Sequence, residues 1–202
     1  MDTSTDPLLS TEEQRLLLRI ARDSIERYAH DQRRITITDY PLTPMLYEKC
    51  GAFVTLRTSG ALRGCIGYTK STMPIAQTVA ENAVNAGFSD PRFPPVTAEE
   101  VPEIDIEVSV LLPGEEEGSP FIKVTDISEI KIGQDGLYLE HAGARGAGLL
   151  LPQVPEEQGW DLDAYLSGIC MKAGAPDGAW QYPTSQLYRF RAQVFDELTM
   201  DN

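Results

Sequence analysis

The sequence predicts an α+β fold with a largely antiparallel sheet, and three observations lead there. Two β-type runs in "GAFVTLRTSGALRGCIGYT" are separated only by Thr58-Ser59-Gly60, as the strands of a hairpin are. "EIDIEVSVL" alternates cleanly, with Ile104, Ile106, Val108 and Val110 on one side and Asp105, Glu107 and Ser109 on the other, the pattern of a half-exposed strand. Helical periodicity falls between groups of strands rather than after each one, which is the arrangement of α+β domains.

In chain order, residues 10–30 read as the opening helix. Ser10 and Glu13 have capping-box spacing, and Leu17, Ile20, Ala21, Ser24, Ile25 and Tyr28 recur on one helical face. "ITITDYPLTPMLYEKC" reads as extended chain broken by Pro41 and Pro44, and the hairpin follows. "MPIAQTVAENAVNAG" predicts a helix with Pro74 near its start and Gly87 near its end. "FSDPRFPPVTAEEVP" is a proline-stiffened loop in which Thr97 and Glu100 cap a short helical turn.

Beyond the alternating strand, "PGEEEGSP" is a solvated connection, and the short β-like pieces "LYLEH" and "GAGLLLPQV" are separated by the turn-like "AGARG". A helix is predicted near 161–173, with Leu162, Tyr165, Leu166, Ile169 and Cys170 on one face and Gly174 as its stop. "LYRFRAQVF" closes the pattern as a last strand.

The chain has 202 residues, enough for one sizeable domain, and its 42% hydrophobic and 24% charged residues are ordinary for a globular protein. Seventeen Lys plus Arg against thirty-one Asp plus Glu give a net charge of −14, a field that repels phosphate backbones and anionic lipid. Direct nucleic-acid binding and a membrane role are therefore not expected. Cys50, Cys65 and Cys170 are widely spaced and odd in number, which argues against a disulfide framework or a structural zinc site. The opening "MDTSTDPLLS" lacks the basic and apolar regions of a secretory signal, and a cytoplasmic location is expected.

The stretch "ALRGCIGYT" carries the chemical question. It places Cys65 between Gly64 and Gly67 in a strand, where glycine is normally disfavoured because it packs nothing and loses backbone entropy. In a regular strand Arg63 and Cys65 share a face about 6.6 Å apart, close enough for the cation to favour a thiolate. Missing Cβ atoms at Gly64 and Gly67 let a second backbone or a ligand approach, and nearby amides would suit a developing oxyanion. The opposing reading is a small buried hydrophobe at Cys65.

Cys50 and Cys170 read as packing residues and His30 as a surface cation at a helix end. His141 shares parity with Leu137 and Leu139 and reads as structural, with a general base for Cys65 as the minority reading. Two histidines without ligand spacing make no metal site, and no cofactor is expected. In "SDPRFPP", Asp90 and Arg92 sit at pairing distance among three prolines, as a cover for the sheet or a rigid pocket wall.

The hexapeptide "LRGCIG", followed in order by "SDPRFPPVT", "IEVSVL", "IGQDGL", "LLLPQV", "GWD" and "CMKAG", resembles the AMME chromosomal-region (AMMECR) family, with an ending similar to its prokaryotic branch. The likeness spans about residues 12–195. It implies a single domain over 1–202, with a curved antiparallel sheet, helices and two unequal lobes around a cleft bordered by the hexapeptide. It also implies partners, Memo-type proteins and radical-SAM proteins, and directs attention to Arg63, Gly64, Cys65, Gly67, Asp90, Arg92 and Phe93.

Two functional expectations follow. One is an enzyme or enzyme subunit in which Cys65 is the nucleophile, Arg63 stabilises its thiolate, and Gly64, Gly67, Asp90, Arg92 and Phe93 bind the ligand. The alternative is a binding or adaptor module whose glycine-lined groove receives a peptide, a metabolite or a partner protein.

Overall fold

The Ser10 hydroxyl accepts from the Glu13 amide at 3.3 Å while the Glu13 carboxylate accepts from the Ser10 amide at 2.8 Å, so the capping box that the spacing predicts is closed. It starts the first of five helices in a computed structural model that describes residues 8–116, 119–142 and 147–200. In chain order the elements are α1 (Thr11–Asp31), β1 (Ala52–Thr58), β2 (Ala61–Tyr68), α2 (Ile75–Phe88), β3 (Ile104–Leu111) and β4 (Ile122–Lys123). They continue as β5 (Gly136–His141), β6 (Ala147–Leu150), α3 (Val154–Gln158), α4 (Leu162–Lys172), β7 (Ser185–Phe190), β8 (Ala192–Asp196) and α5 (Glu197–Met200).

The chain is α+β, as expected, and its strands are distributed over two four-stranded sheets, ordered β2-β1-β3-β8 and β4-β7-β5-β6. Every pair with a described register is antiparallel. Two compact units follow, Met1–Leu111 with Gln193–Asn202, and Leu112–Ala192. The strand predicted over 187–195 is interrupted at Arg191, so that β7 belongs to one sheet and β8 to the other. Leu187 enters one apolar core and Phe195 the other. "PQV" continues into the short helix α3 rather than into strand. The predicted turn at 142–146 lies, from 143 onward, outside the described residues, as do 117–118 of the acidic connection and the opening 1–7.

In the first unit α2 buries Ile75, Ala76, Val79, Ala80, Ala83, Val84 and Ala86 and leaves the narrow polar stripe of Gln77, Glu81 and Asn85 half-buried. It packs against α1, β1 and β2. Leu17, Ile20, Ala21 and Ile25 of α1 meet Val54 and Leu56 of β1 and Ile104, Ile106, Val108 and Val110 of β3 in one core. The Arg22 guanidinium on α1 donates to the carbonyls of Val101 and Ile104 and pairs with Glu197, whose carboxylate accepts from the Ile106 amide at 3.0 Å. One ion pair thereby closes open backbone groups on β3 and fixes α5.

The second unit packs Leu137 and Leu139 of β5 and Leu187 of β7 against Tyr165, Leu166, Ile169 and Cys170 of α4. Asp161 caps α4 by accepting from the Ala164 amide at 2.9 Å, and Gly174 ends the segment with φ +68°. No helix among the described residues is long and apolar enough to cross a membrane.

The glycines of β2 answer to packing within this fold. A Cβ on Gly64 would lie 2.1 Å from the Ala86 carbonyl oxygen of α2, so the approaching backbone is the protein's own helix. A Cβ on Gly67 would lie 2.1 Å from the Phe53 ring, because Gly67 and Phe53 are opposed in register and the ring covers the glycine. Gly64→Ala should therefore lower stability by about 2–3 kcal/mol through overpacking. Gly60→Ala, at φ +79° with open space around it, should lose only about 1 kcal/mol from backbone strain. Urea unfolding of the two variants checks the order.

Candidate functional site

Cys65 sits on β2, the edge strand of its sheet, and is half-buried. Its partner in register is Thr55, and Thr55 pairs on its other side with Glu107 of β3. The Cys65 amide points away from β1, so Cys65 and Thr55 form a non-hydrogen-bonded pair, the geometry that brings opposed side chains closest. The Thr55 hydroxyl accordingly donates to Cys65 Sγ at 3.4 Å.

The expected partnership of Arg63 with Cys65 is corrected by the backbone. Register shifts between Leu56 and Arg57: Leu56 opposes Gly64 and Arg57 opposes Leu62, so Arg63 is the extra residue of a β-bulge. A bulge breaks strict alternation and re-aims the side chain it carries. The Arg63 guanidinium forms a fork with Glu100, Nε to Oε1 and Nη2 to Oε2 both at 3.2 Å, and donates to the Pro94 carbonyl at 2.9 Å. It is 12% exposed and serves to clamp the 89–100 segment against β2.

The charge beside Cys65 comes instead from that segment. Asp90, Pro91, Arg92 and Phe93 form a turn closed by the Phe93 amide on the Asp90 carbonyl at 3.2 Å, with proline at the second position, which its fixed φ favours. The Asp90 carboxylate accepts from four donors: the Cys65 amide at 2.9 Å, the Arg92 amide at 3.1 Å, Arg92 Nε at 3.0 Å and Arg92 Nη2 at 2.7 Å. Arg92 Nη2 also donates to the Cys65 carbonyl at 3.3 Å, and the guanidinium lies 5.5 Å over the Phe93 ring. The ion pair thus takes both outward backbone groups of Cys65, as a neighbouring strand would. It covers the sheet edge at that point.

The electrostatics follow from this arrangement. The Arg92 guanidinium holds the Asp90 carboxyl well below the usual carboxylate range, partly opposed by burial and reinforced by the Cys65 and Arg92 amides. Burial pushes the Cys65 thiol up. The Thr55 hydrogen bond and Arg92 pull it down, Glu107 and Asp90 push it up again, and the balance lies above the ordinary thiol value. Cys50, at the border of the first core, is also raised, by burial and by Glu48.

The site therefore joins Cys65, Asp90, Arg92 and Phe93, with Arg63 one step removed through Pro94 and Glu100. The space at Gly64 and Gly67 is taken from inside the unit, by the Ala86 carbonyl and the Phe53 ring. Cys170 lies in the second core. His30 is exposed on the last turn of α1. His141 pairs with Ser185, which donates its hydroxyl proton to the Ala179 carbonyl at 2.5 Å, so His141 Nδ1, at 2.8 Å, carries the proton and donates to Ser185. Among the described residues no three or more His, Cys, Asp and Glu side chains gather as a metal set would.

Thr55, Glu100 and Glu107 are participants that reading the sequence missed. Counting back from the Thr58-Ala61 turn in a regular hairpin sets Val54, not Thr55, opposite Cys65. Only the bulge moves the register by one.

Because the folded Asp90 carboxyl ionises below its unfolded value, its contribution to stability is complete at neutral pH and is lost as pH falls below about 4. Asp90→Asn should lower stability at pH 7 by about 2 kcal/mol, the scale of charge-assisted hydrogen bonds, and should flatten the decline in stability between about pH 5 and 2. Thermal melts across that range measure both effects.

Comparison with known proteins agrees along nearly the whole chain. The AMMECR1 family model matches residues 18–195. A protein of Methanothermobacter thermautotrophicus is 44% identical over 191 residues, covering 94% of this chain and 96% of its own. Protein MJ0810 of Methanocaldococcus jannaschii is 45% identical over 197 residues, covering 95% and 93%. The crystal structure of uncharacterized protein PH0010 from Pyrococcus horikoshii superposes with a TM-score of 0.86 at 36% identity, over 95% of this chain and 94% of that one. With this coverage and identity, the chain belongs to the AMMECR1 family.

Proposed function

We propose that this protein is a binding module in which β2 and the Asp90–Phe93 turn form a rigid recognition edge for a partner protein or a small metabolite. The observation that carries this reading is the double use of Cys65's backbone by the Asp90–Arg92 pair. The Cys65 amide, one N–H that an oxyanion site at the sulfur could use, is already bound by a carboxylate. Burial raises the thiol beside it above its ordinary value, and the Arg63 cation that would activate it is engaged by Glu100. Arg92, 47% exposed and stacked over Phe93, is the group positioned to meet a ligand from outside. Memo-type and radical-SAM proteins, which the family resemblance implies as partners, are the first to test.

A second reading keeps Cys65 as the nucleophile of an enzyme subunit. Its specific support is the Thr55 hydrogen bond to Sγ together with the field of Arg92, both of which favour thiolate. The base would then come from a partner or from the substrate.

Alkylation by iodoacetamide separates the two. For a binding module, Cys65 should react at pH 7 more slowly than a free cysteine in a short peptide, with its rate still rising where the peptide's has levelled off. Faster reaction than the peptide at pH 7 establishes the nucleophile. Cys65→Ser should leave association with a Memo-type partner within about twofold of wild type, as expected for a side chain whose hydrogen-bond geometry serine reproduces.

A further inference from the structure

The second sheet carries a feature that the Cys65 site does not use. On the face opposite Leu137, Leu139 and Leu187, four aromatic rings meet. Phe121 stacks on Tyr138 with ring centres 4.3 Å apart and planes 9° apart, and Tyr188 lies 6.0 Å from both. Phe190 meets the Phe121 edge at 5.9 Å and covers Gly136, its register partner, as Phe53 covers Gly67 in the first sheet. Phe190 is fully buried and anchors the group, whereas Phe121, Tyr138 and Tyr188 are half-buried. Core packing does not require two tyrosines opposed across β5 and β7 with hydroxyls at an exposed rim.

Charge at that rim is negative. The Tyr138 hydroxyl donates to Glu140 Oε1 at 3.2 Å, and the Tyr188 hydroxyl donates to Gln186 Oε1 at 2.6 Å. Glu140 and Glu116, the latter from the acidic connection before β4, both lie within electrostatic reach of Tyr188. Lys123, the register partner of Tyr188, brings one positive charge to the same face. Aromatic patches on sheets serve two kinds of ligand: bases of single-stranded nucleic acid, which also need a cationic groove, and cations, which the negative ring faces attract. The rim carboxylates and the net charge of −14 oppose the first and favour the second.

We infer that this aromatic-acidic face of the second sheet docks an arginine-bearing segment of a partner protein. An arginine side chain meets both halves of the surface at once. Its planar guanidinium stacks on a tyrosine ring, and its forked N–H groups reach the Glu140 carboxylate. The inference is independent of the proposal for Cys65, because it uses no residue of β1, β2 or the Asp90–Phe93 turn.

Fluorescence polarisation of a labelled hexa-arginine peptide against the full chain, at about 150 mM salt to screen diffuse attraction, tests it. Saturable binding is expected, weakened about tenfold by the double change Glu140→Gln with Tyr188→Leu and about threefold by Glu140→Gln alone. Lys123→Gln, which removes the opposing cation, should tighten binding about twofold. Glu12→Gln with Glu26→Gln, taking two charges from exposed positions of α1, should change affinity by less than about twofold. The single Glu140→Gln change keeps the test informative if the double variant melts early. Equal losses from the α1 pair and the sheet variants, absence of saturation, or tighter binding of oligothymidylate than of hexa-arginine each overturns the inference.

Discussion

One carboxylate organises the region around the hexapeptide. Asp90 is almost wholly buried at the end of α2, and four N–H donors converge on it from Cys65 and Arg92. A buried charge without such partners would be strongly unfavourable, so the carboxylate, the guanidinium and the Cys65 backbone hold one another in place. The consequence reaches outward to the edge of the sheet. β2 has a neighbour on one side only, and a side-chain ion pair occupies the place of the missing strand at Cys65. Arg63 reinforces the same segment from the bulge, through the Pro94 carbonyl and Glu100.

That organisation changes what the cysteine is suited for. A nucleophilic thiol needs a depressed pKa, a base or an oxyanion site, and ideally all three. Cys65 has a hydroxyl donor and a nearby guanidinium, but its amide is committed, carboxylates lie within range, and burial favours the neutral form. The same features give the edge a fixed shape, on which the proposed recognition role rests: a turn with proline at its second position, an arginine stacked on an aromatic ring, and a small side chain beneath. Preorganised surfaces bind with little ordering cost.

The two sheets share a packing device. Phe53 lies over Gly67 in the first, and Phe190 over Gly136 in the second, each ring covering a glycine directly opposite on the neighbouring strand. The glycine makes room, and the ring supplies the apolar cover that its missing side chain does not. Gly64 differs in kind, since there a backbone carbonyl of α2 fills the space, permitted by the alanine-rich composition of that helix. Glycines flanking a cysteine thus arise here from helix–strand and cross-strand contact.

Local information in the sequence determined a great deal. The capping box at Ser10, the hairpin around Ser59-Gly60, the buried face of β3, α4 with its Gly174 stop, and the pairing of Asp90 with Arg92 across a proline all depend on residues within a few positions of one another. Such features survive in one dimension because periodicity, capping and turn chemistry are short-range. The division of the strands into two sheets, the interruption at Arg191 and the destination of Arg63 were decided by tertiary structure. Each turns on register or on a partner far along the chain: a single extra residue at the β1–β2 bulge sends the Arg63 guanidinium to Glu100, thirty-seven positions away, and brings Thr55 opposite Cys65. Alternation in a strand predicts which residues share a face only while pairing stays regular, and at this site it does not.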